Sequence, residues 1–258
     1  MAEYKIQQFP KGRIATIDVF TMGLKKHHVA ALIEVDVTES RAKIRQYQGK
    51  ISFTAWLIKV ISHTLKDYEQ ATAYLKGKRK LILFKDINVS IIVEKDLNGH
   101  KVPVPLIIEK ANERSVGSIS EQIKAAREKN LTDEDIVLHK KSGRMEQFYY
   151  ILPGFIRRLF WQYLLAHPQF AYRKMGNVSI TSVGMMGNVN GWFIPSSVHP
   201  LAFGIGSIIK KPSVVNDKIE IREILNMTVL LDHDVMDGAP MARFISKLSD
   251  HIEQGTAL

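Results

Sequence analysis

No cysteine occurs in the 258 residues. Disulfides, thiolate nucleophiles and zinc–thiolate sites are thereby excluded, and a thiol-free chain suits a reducing cytoplasm, the expected location. Also missing is an uninterrupted apolar run near the ~20 residues that a membrane helix needs. The most apolar stretch, Phe148 to Leu165, is broken by Pro153, Gly154, Arg157 and Arg158, so no membrane span is expected. The start, Met1-Ala2-Glu3-Tyr4-Lys5, lacks the basic-then-apolar pattern of a secretory leader. Neither an internal repeat nor a linker divides the sequence, so a single domain over 1–258 is the simplest expectation.

What is present points to a globular chain with ample core: 45% of residues are hydrophobic and 24% charged. The formal net charge of +10 favours anionic partners, from nucleic acid to a small phosphorylated ligand. Its clusters, Lys76-Gly77-Lys78-Arg79-Lys80 and His139-Lys140-Lys141, have no aromatic interleaving of the kind that reads single strands. They read as solvated loops and helix faces, and nucleic acid is not expected as a partner.

Periodicity supplies the elements. Val29–Val37 reads as a strand, followed by a helix start at Thr38-Glu39-Ser40. Ser52–Tyr68 reads as a helix, with Phe53, Trp56, Leu57, Val60, Ile61 and Leu65 on one face. A short strand is expected at Ile82–Phe84, and paired strands at Ile87–Val93 and Val102–Ile108 around the turn Asp96–His100. Pro103 and Pro105 argue for an edge or a bulge there. Ser115–Asn130 is helical. Strands follow at Asn177–Val183 and at Leu201–Ile209, where Gly204 and Gly206 permit close backbone approach. A hairpin strand and a long strand fill Ile219–Leu231. Seven or eight strands and about five helices with antiparallel-compatible links indicate an α/β two-layer sandwich, a mixed sheet covered by helices.

The final strand runs into Leu230-Leu231-Asp232-His233-Asp234-Val235-Met236-Asp237-Gly238-Ala239-Pro240. An amphipathic helix follows, with Met241, Phe244, Ile245, Leu248 and Ile252 on one stripe and Pro240 in its first turn. This stretch sets a histidine at a rigid strand end and an aspartate four residues later. On residues alone, His233 is equally a core histidine, and Asp237 a helix cap.

Asp232-His233-Asp234-Val235-Met236-Asp237-Gly238 resembles the Asp-His-Arg-x-x-Asp-Gly signature of the acyltransferase core of 2-oxo acid dehydrogenase complexes, within the chloramphenicol acetyltransferase-like superfamily. Three further segments resemble that core in the same order: His28–Val37, Val102–Ile107 and Ser179-Ile180-Thr181-Ser182-Val183-Gly184. The similarity covers most of 28–135 and 176–254. It implies the chloramphenicol acetyltransferase-like fold and acyl transfer between coenzyme A and a dihydrolipoyl-type thiol or a hydroxyl acceptor. By the same resemblance His233 is the general base, Asp237 holds the site through a charge pair, with a partner sought near Lys25-Lys26, and Thr181 donates to the oxyanion. Ser182 takes that last role if the register slips by one. A homotrimer is implied, with histidine and hydroxyl from different chains and glycines 184, 187, 204 and 206 flanking a channel; a larger assembly and a lipoyl-protein acceptor are compatible with it.

The sequence departs from that family in three places. Asp234 stands where the family has arginine, which sets a carboxylate beside the base. No lipoyl attachment site and no subunit-binding domain are found. Residues 138–175 read as an insertion. Thr16-Ile17-Asp18 with Lys25-Lys26-His27-His28 is faintly similar to the start of the antibiotic acetyltransferases. A non-catalytic trimeric scaffold is the alternative reading, and a metal held by His27, His28 and His233 is not expected.

Overall fold

The computed structural model describes residues 2–7, 9, 12–97, 100–128, 149–182 and 190–258. The chain opens with α1 (Gly12–Gly23), over a stretch whose sequence shows no clear period. Then come β1 (His28–Asp36), α2 (Thr38–Gln46) and α3 (Phe53–Thr64). The Ser52 hydroxyl starts α3 by accepting the Ala55 N–H at 3.1 Å, which satisfies one of the free amides of a helix start. β2 (Tyr74–Lys76) and β3 (Lys80–Ile82) make a small separate hairpin; of the two, only the second was legible in the sequence, and it sits two residues early.

β4 (Val89–Leu97) and β5 (His100–Ile108) pair antiparallel, and α4 (Val116–Glu128) follows. The expected turn between those strands lies partly outside the described residues. So does the loop that carries Gly184 and Gly187. Within the segment read as an insertion, two helices are described: α5 (Gly154–Ala166) and α6 (Pro168–Met175). β6 (Val178–Ser182), β7 (Leu201–Val215), β8 (Lys218–Asp232) and α7 (Gly238–Glu253) complete the order.

Six strands form one mixed sheet, ordered β1-β8-β7-β6-β4-β5. β6 runs parallel to both neighbours, and the remaining pairs are antiparallel. β5, the strand with Pro103 and Pro105, lies at an edge, where a missing N–H leaves no ladder bond unmade. β8 is one strand of 15 residues, not the two that were expected. The reason is the turn at Asn216 and Asp217, both with positive φ (49° and 61°). Two such residues form the tight hairpin turn whose twist matches the strands on either side, so β7 and β8 run as one ribbon from Val215 and Lys218 into the sheet.

One face of the sheet is covered by α3, α4 and α7. Trp56, Ile61, Ile119, Ile123, Phe244 and Leu248 meet Phe203, Leu225 and Met227 there, all buried. Leu225, Met227, Val229 and Leu231 alternate with Asn226, Thr228 and Leu230, because successive side chains of a strand point to opposite faces. On the second face residues 191–195 cross over β7, while Leu32 of β1 and Ile92 of β4 stay exposed there. A Cβ on Gly204 would lie 2.3 Å from the Phe193 carbonyl oxygen, and one on Gly206 would lie 2.7 Å from that of Gly191. The glycines therefore admit a crossing segment of the same chain where a channel wall was expected. A smaller cluster of Met22, Tyr74, Trp161, Leu164, Ala171 and Val198 ties α1, α5 and α6 to the body. Among the described residues no helix is long and apolar enough to cross a membrane.

Candidate active site

β8 delivers the histidine. Its last residue, Asp232, is 1% exposed and carries the site's anchoring ion pair, with Lys26 Nζ 2.6 Å from Oδ2. The other carboxylate oxygen accepts the Asp234 N–H at 3.2 Å, and the Asp232 carbonyl accepts the N–H groups of Val235 and Met236. Val235 and Met236 are buried, and Gln70 donates to the Val235 carbonyl at 2.6 Å. A strand end held this way leaves the next side chain little freedom of placement. That side chain is His233. Its N–H donates to the His27 carbonyl at 2.9 Å, so the β1–β8 ladder runs one pair beyond His28 and Asp232. The ring is exposed, which removes the core-histidine reading.

Asp237 takes the N-cap position of α7 in an extended conformation (φ −77°, ψ 166°), but its side chain makes no capping bond. The carboxylate is exposed and has no hydrogen bond or ion pair among the described residues. Lys26, near which its cation was sought, is engaged by Asp232. In the sequence that pair shows only as an acidic residue directly after the apolar run Val229-Leu230-Leu231.

Two more histidines support the loop from behind. His28 Nε2 donates to the His199 carbonyl at 2.9 Å. His199, 8% exposed, donates from Nε2 to the Met175 carbonyl at 3.0 Å and accepts the Ser197 hydroxyl at Nδ1, 3.1 Å away. Burial pushes the His199 imidazole down to about 4, and burial also lowers that of His28. On the open side, His27 Nδ1 lies 2.9 and 3.1 Å from the two Asp234 oxygens. The hydrogen bond to that carboxylate, and then its charge, raise the His27 imidazole above its usual range. Asp234, which departs from the family signature, thus meets His27, a contact that no local pattern in the sequence announces. Among the described residues no group of three or more His, Cys, Asp or Glu is placed to hold a metal ion.

Thr181 and Ser182 lie at the end of β6 and point to opposite faces. Ser182 shares the side of the buried Val178 and Ile180; its hydroxyl is sealed from solvent and without a partner among the described residues. Thr181 shares the other side with the half-buried Ser179. It stands level with Gly204 on β7 and, through it, with Thr228 on β8. That register keeps both residues away from His233 within one chain. Two strand spacings of ~4.8 Å and five residues of ~3.3 Å rise set Thr181 and His233 roughly 19 Å apart.

Comparison with known proteins agrees with this architecture. The family model described as 2-oxoacid dehydrogenases acyltransferase (catalytic domain) matches residues 16–137 and 172–258. The lipoamide acyltransferase component of the branched-chain alpha-keto acid dehydrogenase complex of Bacillus subtilis is 25% identical over 239 residues, which cover 88% of this chain and 46% of that protein. The chain thus spans about half the length of the curated relatives it matches. A probable dihydrolipoamide acetyltransferase from Listeria monocytogenes superposes with a TM-score of 0.69 at 19% identity, covering 98% of this chain and 96% of the other. The dihydrolipoamide acetyltransferase of Azotobacter vinelandii, in which a serine, a histidine and an asparagine were investigated for their role in catalysis, gives 0.65 at 17%, covering 96% and 92%. A chloramphenicol acetyltransferase gives 0.50 at 10% identity, covering 96% and 98%. The chain belongs to the family of 2-oxoacid dehydrogenase acyltransferase catalytic domains.

Proposed function

We propose that this chain transfers an acyl group between coenzyme A and a dihydrolipoyl-type thiol, at a site assembled from two protomers of a homotrimer. The observation that carries the reading is the exposed ring of His233 at a strand end pinned by the buried Asp232 and its half-buried partner Lys26. An alkyl thiol has a pKa near 8.5, so at neutral pH only a few per cent is thiolate. His233 accepts the thiol proton, the sulfur attacks the thioester carbonyl, and the tetrahedral oxyanion accepts a hydrogen bond from a hydroxyl. Collapse breaks the original C–S bond, and the leaving thiolate recovers the proton from the imidazolium. A general base of this kind contributes typically ~10²–10⁴-fold, and one oxyanion donor ~10²–10³-fold.

Thr181 is the donor that the geometry favours, since the Ser182 hydroxyl is sealed on the core side of β6. The spacing in the A. vinelandii enzyme supports this choice: its serine, histidine and asparagine are separated along the chain as Thr181, His233 and Asp237 are. Asp237 then lies beside the base as an exposed carboxylate whose partner comes from outside the protomer. The roughly 19 Å between Thr181 and His233 within one chain, from strand spacing and rise, supports a site shared by neighbours. The family match omits 138–171, which supports reading that segment as an insertion in a catalytic domain. The net charge of +10 suits the phosphates of coenzyme A and an acidic lipoyl-protein acceptor. A cytoplasmic site of action fits the absence of cysteine.

The test is acetyl exchange between acetyl-coenzyme A and dihydrolipoamide, with the S-acetyl product separated by chromatography, since total thiol does not change. His233→Ala is expected to lower kcat/KM by at least ~100-fold. Wild-type protein that forms no acyl product with any thioester offered would leave only a scaffold.

A further inference from the structure

The position where the family carries arginine holds a carboxylate here, and that carboxylate is not idle. Asp234 accepts from His27 Nδ1, at 2.9 and 3.1 Å to its two oxygens. A carboxylate only accepts, so Nδ1 carries the hydrogen and the lone pair of the neutral ring sits on Nε2. His27 is 75% exposed, and its Nε2 has no partner among the described residues. A histidine fixed through Nδ1 by an aspartate, with a bare Nε2 facing solvent, is the arrangement a general base requires.

Its location adds to this. In the β1–β8 register His28 faces Asp232, and the next pair outward is His27 with His233, joined by the His233 N–H to His27 carbonyl bond of 2.9 Å. Facing residues of an antiparallel pair have Cβ atoms about 5 Å apart. Two imidazoles therefore stand at neighbouring points on the surface that a thiol must reach. An ion pair this exposed contributes little to stability, so folding does not explain its presence.

We infer that His27, oriented by Asp234, is a second proton acceptor of the acyl-transfer site, able to take the thiol proton at Nε2 beside His233. The inference rests on the acyltransferase reading. The step balances as it does for His233: the S–H bond breaks, Nε2 gains the proton, the sulfur pair forms the new C–S bond, and the displaced thiolate takes the proton back. Around His27, Asp234 and Asp232 favour the protonated ring, whereas Lys26 opposes it; His28 and His233 flank it along and across the strands. The base form of the dyad thus fills at higher pH than that of a free histidine.

The experiment measures acetyl exchange to dihydrolipoamide between pH 5.5 and 9 for wild type, His233→Ala, His27→Gln, Asp234→Asn and the His27→Gln/His233→Ala double variant. The expected result is that His233→Ala keeps a remainder, which falls at least ~10-fold further when His27 is also replaced. In an Asp234→Asn/His233→Ala double variant, made alongside these, the rising limb of that remainder should move to lower pH. Thermal midpoints should stay within a few degrees of wild type in the His27 and Asp234 variants, because the pair is exposed. An active wild type whose rates and pH profile, and those of His233→Ala, ignore His27 and Asp234 would overturn the second acceptor alone. An inactive wild type would overturn the acyltransferase reading and the second acceptor together.

Discussion

His233 owes its placement to its neighbours. The Lys26–Asp232 pair fixes the strand end, and the buried His199 fixes the carbonyl on which His28 rests. His199 is also the residue whose protonation the fold most resists. Its Nδ1 accepts the Ser197 hydroxyl, so a proton there would break that bond and charge a buried ring. With the folded imidazole lowered to about 4 and the unfolded one near 6.5, the unfolded chain binds the proton more readily between those values. The neutral ring's contribution is therefore fully present above pH ~6.5 and is lost as the pH falls toward 4, by up to on the order of 3 kcal/mol at ~1.4 kcal/mol per unit. Urea unfolding between pH 4.5 and 7 should show this acid loss, with a shallower slope in His199→Gln. Equal slopes in the two proteins would show that His199 is not the group responsible.

At the level of elements, the strands and helices with strong periods were legible. α3, α4 and α7 are amphipathic against a hydrophobic sheet, and β1, β4, β5 and β6 begin and end within a few residues of where alternation places them. α1 was not legible because its apolar residues do not gather on one face, and Ile17 and Phe20 stay exposed. The length of β8 was hidden because Asn216-Asp217 is a turn with no glycine. The site was half legible. The motif pointed to His233, but the Lys26–Asp232 and His27–Asp234 contacts join residues some two hundred positions apart, which no local pattern announces. Gly204 was read as a place of close approach without its partner, now seen as Phe193. Gly204→Ala places a methyl 2.3 Å from a backbone carbonyl oxygen that cannot swing aside as a side chain would. Overpacking of this kind costs about 1–3 kcal/mol, and the strand beside Thr181 and Thr228 must shift with it. A lower urea midpoint with an unchanged slope would confirm the account; an unaltered midpoint would mean that residues 190–200 do not press on the sheet.

For the whole molecule, the arrangement of the sheet decides how many chains a site needs. Thr181 closes β6 on the face away from the helices, and His233 leaves β8 five residues beyond the level of Thr181. On the proposed reading one protomer holds the base and the oxyanion donor in different places, and closed three-fold symmetry would bring the two together at every boundary. Exposed apolar side chains on the β7–β8 ribbon (Val214, Ile219 and Ile221) and on α5 (Phe155, Leu159 and Tyr163) leave surface for such contacts. The most direct test mixes two crippled chains. His233→Ala and Thr181→Val proteins, each much slower than wild type, are co-refolded or co-expressed, and acetyl exchange is measured on the mixture. If the site is shared in a trimer, random assembly restores about a quarter of the wild-type sites, and the rate rises accordingly above either variant alone. A mixture no faster than the average of its two components would contradict the shared site.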